Sequence, residues 1–319
     1  MATIVSIGEA LVEIMRLGRD QPLDRPGEFS GPYPSGAPAI LASAAARLGA
    51  SVGFVGAVGT DPFGECLLSR LLADGIDCSA VRRVAERTTG IAFVAYRSDG
   101  SRSFVFHLAQ SAAALVNFEQ LPPGYLDDTR YLHVMGSALT VSEEMRQTCY
   151  RAAQIVHAQG GTVSLDPNLR PELMPVARIR AVCEPILRVA EIVFPSGGEA
   201  MVLAATETPQ QAADELLRGG VRVVALKQGS EGSTLYTARG ATHIPAFSVK
   251  EVDPTGAGDC YDAAFLVGLS EGWALEEAGL FANAVGALAT TRLGPMEGAF
   301  PREQVLAFMA SQGRSLPRL

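Results

Sequence analysis

The sequence predicts an α/β fold, in which a doubly wound, mostly parallel sheet is flanked by helices and a small β-sheet lid lies beside it. Two observations carry this prediction. Short apolar runs typical of buried strands alternate with stretches of helical length over most of the chain. An early region that contains Pro22, Pro26 and Pro32 and a later Asp-Gly turn do not follow that alternation, and they predict a separate small sheet.

The N-terminal third combines elements of the main sheet with the lid. In order, the sequence predicts a strand at 3–8, a helix at 37–49, a strand at 51–57, a helix at 61–73, and a hairpin with strands at 90–96 and 101–107. Asp61 and Pro62 open the second helix, because Asp accepts from first-turn amides and Pro suits the first helical position. Asp99-Gly100 supplies the hairpin turn. The lid is expected at about 11–34 and 88–110, inside a single domain that spans 1–319.

The remaining two thirds alternate strands and helices more regularly. Strands are predicted at 131–135, 161–165, 191–194, 221–227 and 232–236. Helices are predicted at 142–158, 176–189, 199–205, 209–218, 257–272, 275–292 and 302–311. This alternation favours parallel pairing through right-handed crossovers, and ligands of such sheets bind at the carboxyl ends of the strands.

Composition excludes several classes of protein. Hydrophobic residues make up 48% of the 319 residues and charged residues 19%, a globular balance that argues against a disordered or fibrous chain. The formal net charge of −8 disfavours a nucleic-acid partner, because nothing offsets repulsion from the phosphate backbone. Five cysteines without a C-x-x-C pair, no basic N-terminal leader and no apolar run near membrane length favour a cytoplasmic protein without a membrane partner.

The strongest chemical signal is the run Asp253-Pro254-Thr255-Gly256-Ala257-Gly258-Asp259, which is expected at a strand-to-helix junction. The consecutive amides of Gly256, Ala257 and Gly258 would open a helix N-terminus, where unpaired N–H groups and the helix dipole attract an anion. A carboxylate at Asp259 would repel a passively bound phosphate, but it suits a general base next to a transferring phosphoryl group. The alternative is a glycine-rich loop with Asp259 in the first helical turn for dipole reasons.

In these residues the chain resembles the ribokinase-like (PfkB) carbohydrate kinases, and most of all the fructokinase, tagatose kinase and 2-keto-3-deoxygluconate kinase members. Six motifs occur in the family's order across nearly the whole chain. They are Gly8-Glu9, Ser35-Gly36-Ala37-Pro38-Ala39, the segment from Gly56 to Gly64, Asp166-Pro167-Asn168-Leu169-Arg170, the segment from Lys227 to Gly232, and the run from Asp253 to Asp259. Each motif is weak alone, but six in order are highly specific.

The resemblance implies roles on the nucleotide side. Asp259 would take the proton from a sugar hydroxyl, and Gly256, Ala257 and Gly258 would form the anion hole. ATP would also contact the residues matching the family's phosphate-bordering pair, its nucleotide loop and its adenine-flanking helix, which here are Asp253, Thr255, Lys227, Gly229, Gly232 and Asn283. Asp253 and Thr255 border a monovalent cation such as K⁺ in some members. Glu199 would help to hold Mg²⁺, although Ser196 replaces the Asn of the family's Asn-x-x-Glu motif.

The sugar side departs from the family pattern. Its candidate residues are Glu13, Ser35, Gly36, Ile40, Arg102, Phe104, His107, Asn168 and Arg170. Ser35 replaces a Gly and Ile40 replaces the Asn that holds sugar hydroxyls in many relatives, while Glu13 stands where a shorter Asp is common. His107 lies near the position where 2-keto-3-deoxygluconate kinases tend to carry an Arg, although strand alternation places it on the opposite face from Arg102.

The sequence therefore predicts an ATP- and Mg²⁺-dependent kinase of a neutral ketohexose such as fructose or tagatose. The alternatives are a 2-keto-3-deoxygluconate or nucleoside kinase, and a non-catalytic sugar- or nucleotide-binding protein on the same fold. The exposed edge of the lid sheet suggests a homodimer joined through the lids, as in many relatives.

Overall fold

The computed structural model describes residues 2–316. The strands are β1 (Ile4–Ile7), β2 (Leu11–Arg16), β3 (Phe29–Ser35), β4 (Val52–Gly59), β5 (Val81–Val84), β6 (Gly90–Tyr96), β7 (Arg102–His107), β8 (Tyr131–Met135), β9 (Thr162–Asp166), β10 (Ala190–Val193), β11 (Val223–Lys227), β12 (Ser233–Thr237) and β13 (Gly240–Ile244). The helices are α1 (Ala37–Arg47), α2 (Pro62–Ala73), α3 (Ala138–Val141), α4 (Glu143–Ala158), α5 (Val176–Leu187), α6 (Glu199–Ala204), α7 (Pro209–Arg218), α8 (Ala257–Ser270), α9 (Leu275–Ala289) and α10 (Arg302–Ser311). The predicted domain of 1–319 thus begins and ends outside the described residues, at Met1 and at 317–319.

Within residues 2–316, nine strands form the main sheet in the order β13-β12-β11-β10-β9-β8-β1-β4-β5. The seven strands from β11 to β5 run parallel, whereas β12 and β13 are antiparallel additions at one edge. The central strands β1, β4 and β11 are buried along their whole length, because helices cover both faces of a doubly wound sheet. The predicted α/β class is confirmed.

A second sheet of four strands, in the order β3-β2-β6-β7, lies beside the first. Strands β2 and β6 are parallel, and each has an antiparallel partner on its outer side. The chain enters this sheet directly after β1, leaves it at the start of α1, and returns after β5. The carboxyl end of β1 is therefore joined to the lid by three residues, and the lid is joined to the start of α1 by one residue.

Local signals explain the best-predicted elements. The Asp61 carboxylate accepts from the Gly64 N–H at 2.9 Å and Pro62 begins α2, so the predicted cap is confirmed. Ser142 caps α4 in the same way through the Met145 N–H. Strands β5 and β13 and the short helix α3 were not predicted, because the exposed faces of β5 and β13 hide their strand pattern.

The prediction that a strand leads directly into α8 is wrong. Residues 245–256 contain no strand and form an irregular segment. Pro245 and Pro254 have no N–H to give to a ladder, and the Asp253 carboxylate accepts the N–H groups of Thr255 and Gly294 instead. The segment is thus held by a buried carboxylate rather than by a neighbouring strand.

Candidate active site

A cavity of about 210 Å³ lies between the carboxyl ends of the parallel strands and the lid. On the side of the main sheet it is lined by Glu9 after β1, Ser137 after β8, Asp166 at the end of β9, and Lys227 at the end of β11. Side chains at parallel strand ends converge at one edge of a sheet, which is where ligands of this architecture bind. The lid closes the other side with Arg102, Phe104 and Phe106, the alternate residues of β7.

Helix α8 points its N-terminus into this cavity. Gly256 caps it with φ of 80°, and a Cβ at this position would collide with the Pro295 carbonyl, so glycine is required here. The Ala257 N–H donates to the Pro254 carbonyl at 3.3 Å. Among the described residues, no hydrogen-bond partner is seen for the Gly256 and Gly258 N–H groups. Two unpaired amides at a helix N-terminus form a site that favours negative charge.

Asp259 follows these amides in the first turn of α8 and lines the cavity while remaining only 7% exposed. Burial raises the pKa of its carboxyl to about 7, and the nearby Asp166 carboxylate adds to the rise, whereas Lys227 and Arg170 oppose it. A carboxyl whose pKa lies near neutral pH is poised to accept a proton.

Three buried ionisable residues, of which Asp262 lies in α8 itself, form what we call the charged floor: Asp166, Lys227 and Asp262. The Lys227 Nζ donates to Asp166 Oδ2 at 2.7 Å and to both oxygens of Asp262 at 2.9 and 3.2 Å. Burial alone would lower the pKa of Lys227, but the two carboxylates outweigh it and raise that pKa, so the ammonium keeps its charge. A Cβ on Gly258 would lie 3.4 Å from this Nζ, which places the ammonium beside Gly258.

On the sugar side, three buried residues form what we call the acceptor wall: Glu9, Glu13 and Asn168. Each has one oxygen without a hydrogen-bond partner in the structure, namely Glu9 Oε2, Glu13 Oε1 and Asn168 Oδ1. The other carboxyl oxygens of Glu9 and Glu13 accept from Ser137 and Ser35, at 2.7 and 3.0 Å. Burial raises the pKa of both glutamates to about 7, although these serine hydrogen bonds oppose the rise.

Asn168 is also strained, because its φ of 39° lies in the left-handed region. Its N–H donates to Asp166 Oδ1 at 2.8 Å, so the charged floor holds this residue of the acceptor wall in place. Strain of this kind persists where the surroundings fix a side chain for a purpose, and here it directs an amide at the cavity.

Most of the residues singled out in the sequence come together around this cavity. It is lined by Asp259, Gly256, Gly258, Glu13, Ser35, Gly36, Ile40, Arg102, Phe104, Asn168, Arg170, Thr255, Lys227 and Glu199. Outside its lining lie Ala257, His107, Asp253, Gly229, Gly232 and Asn283.

Two of these placements correct the roles inferred from the sequence. His107 is exposed on the outer face of the lid, where its ring packs against Phe93, because strand alternation turns it away from Phe104 and Phe106. It therefore does not reach the cavity. The N–H of Ala257 is engaged by the Pro254 carbonyl, which leaves Gly256 and Gly258 as the unpaired donors of the predicted anion hole.

Two candidates for the nucleotide side meet elsewhere, around residues 244–246. The Asn283 amide donates to the Ile244 carbonyl at 2.9 Å, and Gly232 lies so close to that carbonyl and to the Ala246 N–H that no side chain would fit. Gly229 is at the exposed turn between β11 and β12, with φ of 59°. The Asn283 amide nitrogen is thus occupied by the protein's own backbone.

Glu199 begins α6, and both of its carboxyl oxygens accept from backbone amides, those of Leu169 at 2.8 Å and Ser196 at 2.7 Å. Burial and the nearby Asp166 raise its pKa. No group of three or more His, Cys, Asp or Glu residues within 2–316 has the arrangement of a protein metal site. A divalent cation here would take most of its ligands from water and phosphate oxygens, as Mg²⁺ commonly does.

The sequence profile of the pfkB family carbohydrate kinases matches residues 1–302. The chain belongs to this family. The match spans the main sheet, the lid and α8, so the pfkB carbohydrate kinase region includes every residue that lines the cavity.

The relatives of this pfkB carbohydrate kinase differ in the sugar that their names specify. A 2-dehydro-3-deoxygluconokinase of Bacillus subtilis is 31% identical over 281 residues, which cover 87% of each chain. Fructokinase-1 of Oryza sativa is 32% identical over 317 residues, which cover 97% of this chain and 98% of the rice protein. Both names describe sugar kinases, but one sugar is an acid and the other is neutral.

Solved structures share the whole architecture. An Escherichia coli protein provisionally named Ribokinase II, in complex with ATP and Mg²⁺, matches with a TM-score of 0.91 and 38% identity over 98% of this chain and all of that chain. The fructokinase of Vibrio cholerae O395, with fructose, ADP and calcium bound, matches with a TM-score of 0.85 and 28% identity over 97% of this chain and 99% of that chain.

Four residues of this pfkB carbohydrate kinase site were not assigned from the sequence: Glu9, Ser137, Asp166 and Asp262. A signal for Glu9 and Asp166 was available, since each is a charged residue at the carboxyl end of a buried strand. Asp262 carried no such signal, because it lies inside the apolar stretch of α8 and its partner Lys227 is 35 residues away.

In the described part of the chain, none of the helices is long and apolar enough to cross a membrane.

Proposed function

We propose that this enzyme transfers the γ-phosphoryl group of ATP to a hydroxyl of a neutral polyhydroxy sugar, with Asp259 as the general base. A ketohexose such as fructose or tagatose is the favoured class. The observation that carries the proposal is the acceptor wall: Glu9, Glu13 and Asn168 each leave a buried oxygen unpartnered beside the same cavity.

The unpartnered oxygens of the wall are acceptors when Glu9 and Glu13 are ionised, and they then need donors. A buried polar atom without a partner costs about 1–3 kcal/mol, so a ligand that donates three hydrogen bonds recovers several kcal/mol. Hydroxyl groups of a neutral sugar supply such donors. A carboxylate would add only acceptors, and it would meet Glu9 and Glu13 with like charge when these are ionised.

Asp259 supports the catalytic part of the proposal. Its buried carboxyl, with a pKa raised to about 7, can take the proton of an attacking hydroxyl in the neutral range. The unpaired Gly256 and Gly258 amides form a donor set suited to charge on a transferring phosphoryl group, and the Lys227 ammonium lies beside Gly258. Base and anion site are adjacent in one helical turn.

The donor set also fits ATP and Mg²⁺, which the E. coli relative binds. The phosphates would lie at the N-terminus of α8, where unpaired amides and a buried ammonium offset negative charge. Bound Mg²⁺ would supply a charge that neutralises the phosphate oxygens, and Glu199 would accept hydrogen bonds from its water ligands. The adenine would lie toward residues 244–246, between Gly232 and Asn283. A monovalent cation near Asp253 and Thr255 stays a prediction.

A second substrate class is favoured by one observation. Arg102 and Arg170 line the same cavity, and neither forms an ion pair with a carboxylate in the region from residue 2 to 316. Two unpaired guanidinium groups could hold the carboxylate of a sugar acid such as 2-keto-3-deoxygluconate. We favour the neutral sugar, because Arg102 already donates to Thr255 and Arg170 to the Leu169 carbonyl.

The test is a coupled assay of ADP release with ATP and Mg²⁺ against fructose, tagatose, ribose, 2-keto-3-deoxygluconate and a nucleoside. We expect a ketohexose to give the highest kcat/KM. A preference of tenfold or more for 2-keto-3-deoxygluconate would overturn the neutral-sugar proposal in favour of the second class. Sugar-induced thermal stabilisation without turnover of any substrate would contradict the kinase proposal itself.

We also propose that two copies pair through the outer faces of their lids. This face exposes Phe29 and Val105, at 39% and 45%, beside the Phe93–His107 contact. Exposed apolar side chains on a sheet with open edges are a common basis for self-association. Light scattering at working concentration should give a dimer mass that Val105→Lys reduces to that of a monomer, and a monomeric wild-type protein would refute the pairing. The cytoplasmic location stays a prediction.

A further inference from the structure

A chain of side-chain hydrogen bonds joins the lid to the loop before α8. The Arg102 Nη1 donates to Thr255 Oγ1, and Thr255 Oγ1 is hydrogen-bonded to the Tyr96 hydroxyl. The Tyr96 hydroxyl in turn donates to Asp253 Oδ1. Each of these three distances is 2.9 Å. Asp253 in turn accepts from the N–H of Thr255 and, through Oδ2, from the N–H of Gly294. We call Arg102, Thr255, Tyr96 and Asp253 the lid latch.

The chemistry of these groups allows one direction for the protons. A guanidinium can only donate and an ionised carboxylate can only accept. Since Tyr96 gives its single proton to Asp253, the Thr255 hydroxyl must donate to Tyr96 and accept from Arg102. Burial raises the pKa of Tyr96 and the nearby Asp253 raises it further, so the phenol keeps its proton. Hydrogen bonds aligned in this way strengthen one another.

The two lid residues hold the tip of one hairpin. Tyr96 ends β6 and Arg102 begins β7, and they are directly opposite each other in the antiparallel register. The turn between them, residues 97–101, is largely exposed. Arg102 shares its face of β7 with Phe104 and Phe106, which line the cavity. A movement of the cavity's lid side is therefore transmitted to the latch.

The other two latch residues hold the loop that forms the anion site. Thr255 directly precedes Gly256, whose left-handed conformation starts α8, and Asp259 follows four residues after Thr255. The 245–256 segment has no strand partner, so the latch and Gly294 provide its side-chain contacts at Asp253 and Thr255. Loss of the latch would free this loop from the lid.

We propose that Tyr96 and Arg102 are positioning residues through which the lid sets the geometry of the Gly256–Asp259 turn. The inference rests on the proposed kinase function, and it adds a role that neither residue has as a direct contact to the reacting atoms. Seating of the sugar under Phe104 and Phe106 and alignment of the anion site then become one event. Uncoupled ATP hydrolysis is low as long as this link is intact.

The test uses the full-length protein with the isosteric variant Tyr96→Phe, which removes only the hydroxyl. Tyr125→Phe is the matched control, because the Tyr125 hydroxyl donates to the Asp77 carbonyl and is likewise partly buried, but it lies away from the site. We expect Tyr96→Phe to lower kcat about tenfold, with the KM for sugar changed less than twofold, and to raise the ratio of ATP hydrolysis to sugar phosphorylation. We expect Tyr125→Phe to change none of these.

A double-variant cycle separates a latch from two independent contacts. Thr255→Val breaks the same chain, so Tyr96→Phe/Thr255→Val should have the kcat of the more impaired single variant. The proposal would be overturned if the double variant lowered kcat by the product of the two single-variant factors. It would also be overturned if Tyr96→Phe had the same kcat as Tyr125→Phe.

A readout without turnover keeps this inference distinct from the proposed function. In hydrogen exchange, Tyr96→Phe should speed exchange at 97–101 and at 254–258 together. Faster exchange in the hairpin alone would refute the latch even if the enzyme is an active sugar kinase. An inactive wild-type protein that shows the paired change would refute the proposed substrates and support the latch.

Discussion

The charged floor and the acceptor wall are neighbours, joined by the hydrogen bond from the Asn168 N–H to Asp166. Their buried polar groups differ, because those of the floor are paired and those of the wall are not. In the floor, the ammonium of Lys227 is bonded to the carboxylates of Asp166 and Asp262. In the wall, Glu9 and Glu13 each keep one carboxyl oxygen unpaired. Buried charge is stable when it is paired and costly when it is not. The floor is therefore complete in the free protein, whereas the wall would be completed by the proposed sugar.

Under the proposed function, the same contrast separates catalysis from specificity. The floor lies under Gly258 and next to Asp259, where any displacement would misplace a proton acceptor and an anion site. The wall faces the cavity that we propose holds the sugar, and the names of two relatives specify a sugar acid in one case and a neutral sugar in the other.

The largest effect is expected from Asp259→Asn, which keeps the shape of the side chain and removes its basicity. The kcat for the preferred sugar should fall by about 10²–10⁴-fold, the range typical of general bases. The thermal shift produced by sugar should persist, because the acceptor wall is intact. Asp214→Asn, on the exposed face of α7, serves as the control and should retain full activity. Turnover of Asp259→Asn near the wild-type rate would exclude this residue as the base.

The second effect tests whether the floor is complete only as a unit. Lys227→Met leaves the carboxyls of Asp166 and Asp262 buried without their cation, which should lower the free energy of unfolding by about 3–5 kcal/mol. Urea denaturation measures this change in the free energy of unfolding. Arg222→Met is the matched control, because the Arg222–Glu191 pair has the same 2.8–2.9 Å spacing at the surface and should contribute at most about 1 kcal/mol.

The double variant Lys227→Met/Asp262→Asn sharpens this result. Removing one of the two stranded carboxylates should restore part of the lost stability, because less unpaired charge is then buried. If the losses of the two single changes simply add, Lys227 and Asp262 do not stabilise one another.

The sequence predicted locally determined elements well, for a physical reason. Helix caps, strand alternation and the Asp99-Gly100 turn act over a few residues, and they located α2, β6 and β7 well. The same alternation placed His107 on the opposite face from Arg102, where the structure has it, but the family analogy kept it among the sugar-side candidates.

Long-range pairing is what the sequence could not supply. Lys227 was interpreted as a nucleotide contact because it opens a glycine-containing loop, while its partners Asp166 and Asp262 are 61 and 35 residues away. The irregular path of residues 245–256 depends equally on Gly294, a distant residue that binds the Asp253 carboxylate. Such contacts follow from the assembled fold and not from local spacing.

The third prediction uses pH to test the proposed base, through the change in Asp259 that follows from replacing Arg170. With a pKa raised to about 7, Asp259 must lose its proton to accept another, so kcat should rise about tenfold per pH unit below 7 and level off above it. Arg170 lowers this pKa, so Arg170→Met should move the acid limb to higher pH. A rate that is independent of pH between 5 and 8 would contradict a base with this pKa.

The smallest effect concerns the stability that the wall gives up. The folded-state pKa of Glu9 is raised to about 7 from an ordinary value near 4.5, so the folded protein binds a proton more tightly than the unfolded chain. Stability linked to Glu9 is therefore fully present below pH 4.5, is lost as pH rises to about 7, and stays absent above it.

Glu9→Gln removes this penalty while keeping an acceptor for the Ser137 hydroxyl. At pH 8 it should raise the free energy of unfolding by about 1–3 kcal/mol, and near pH 4.5 the gain should vanish. Glu184→Gln, on the exposed face of α5, should change stability by less than about 0.5 kcal/mol at both pH values. A gain accompanied by weaker sugar binding would mean that the carboxylate is kept for the ligand at the expense of the fold. A loss of stability at pH 8 would instead place Glu9 with the charged floor, as a group that the free protein needs in its ionised form.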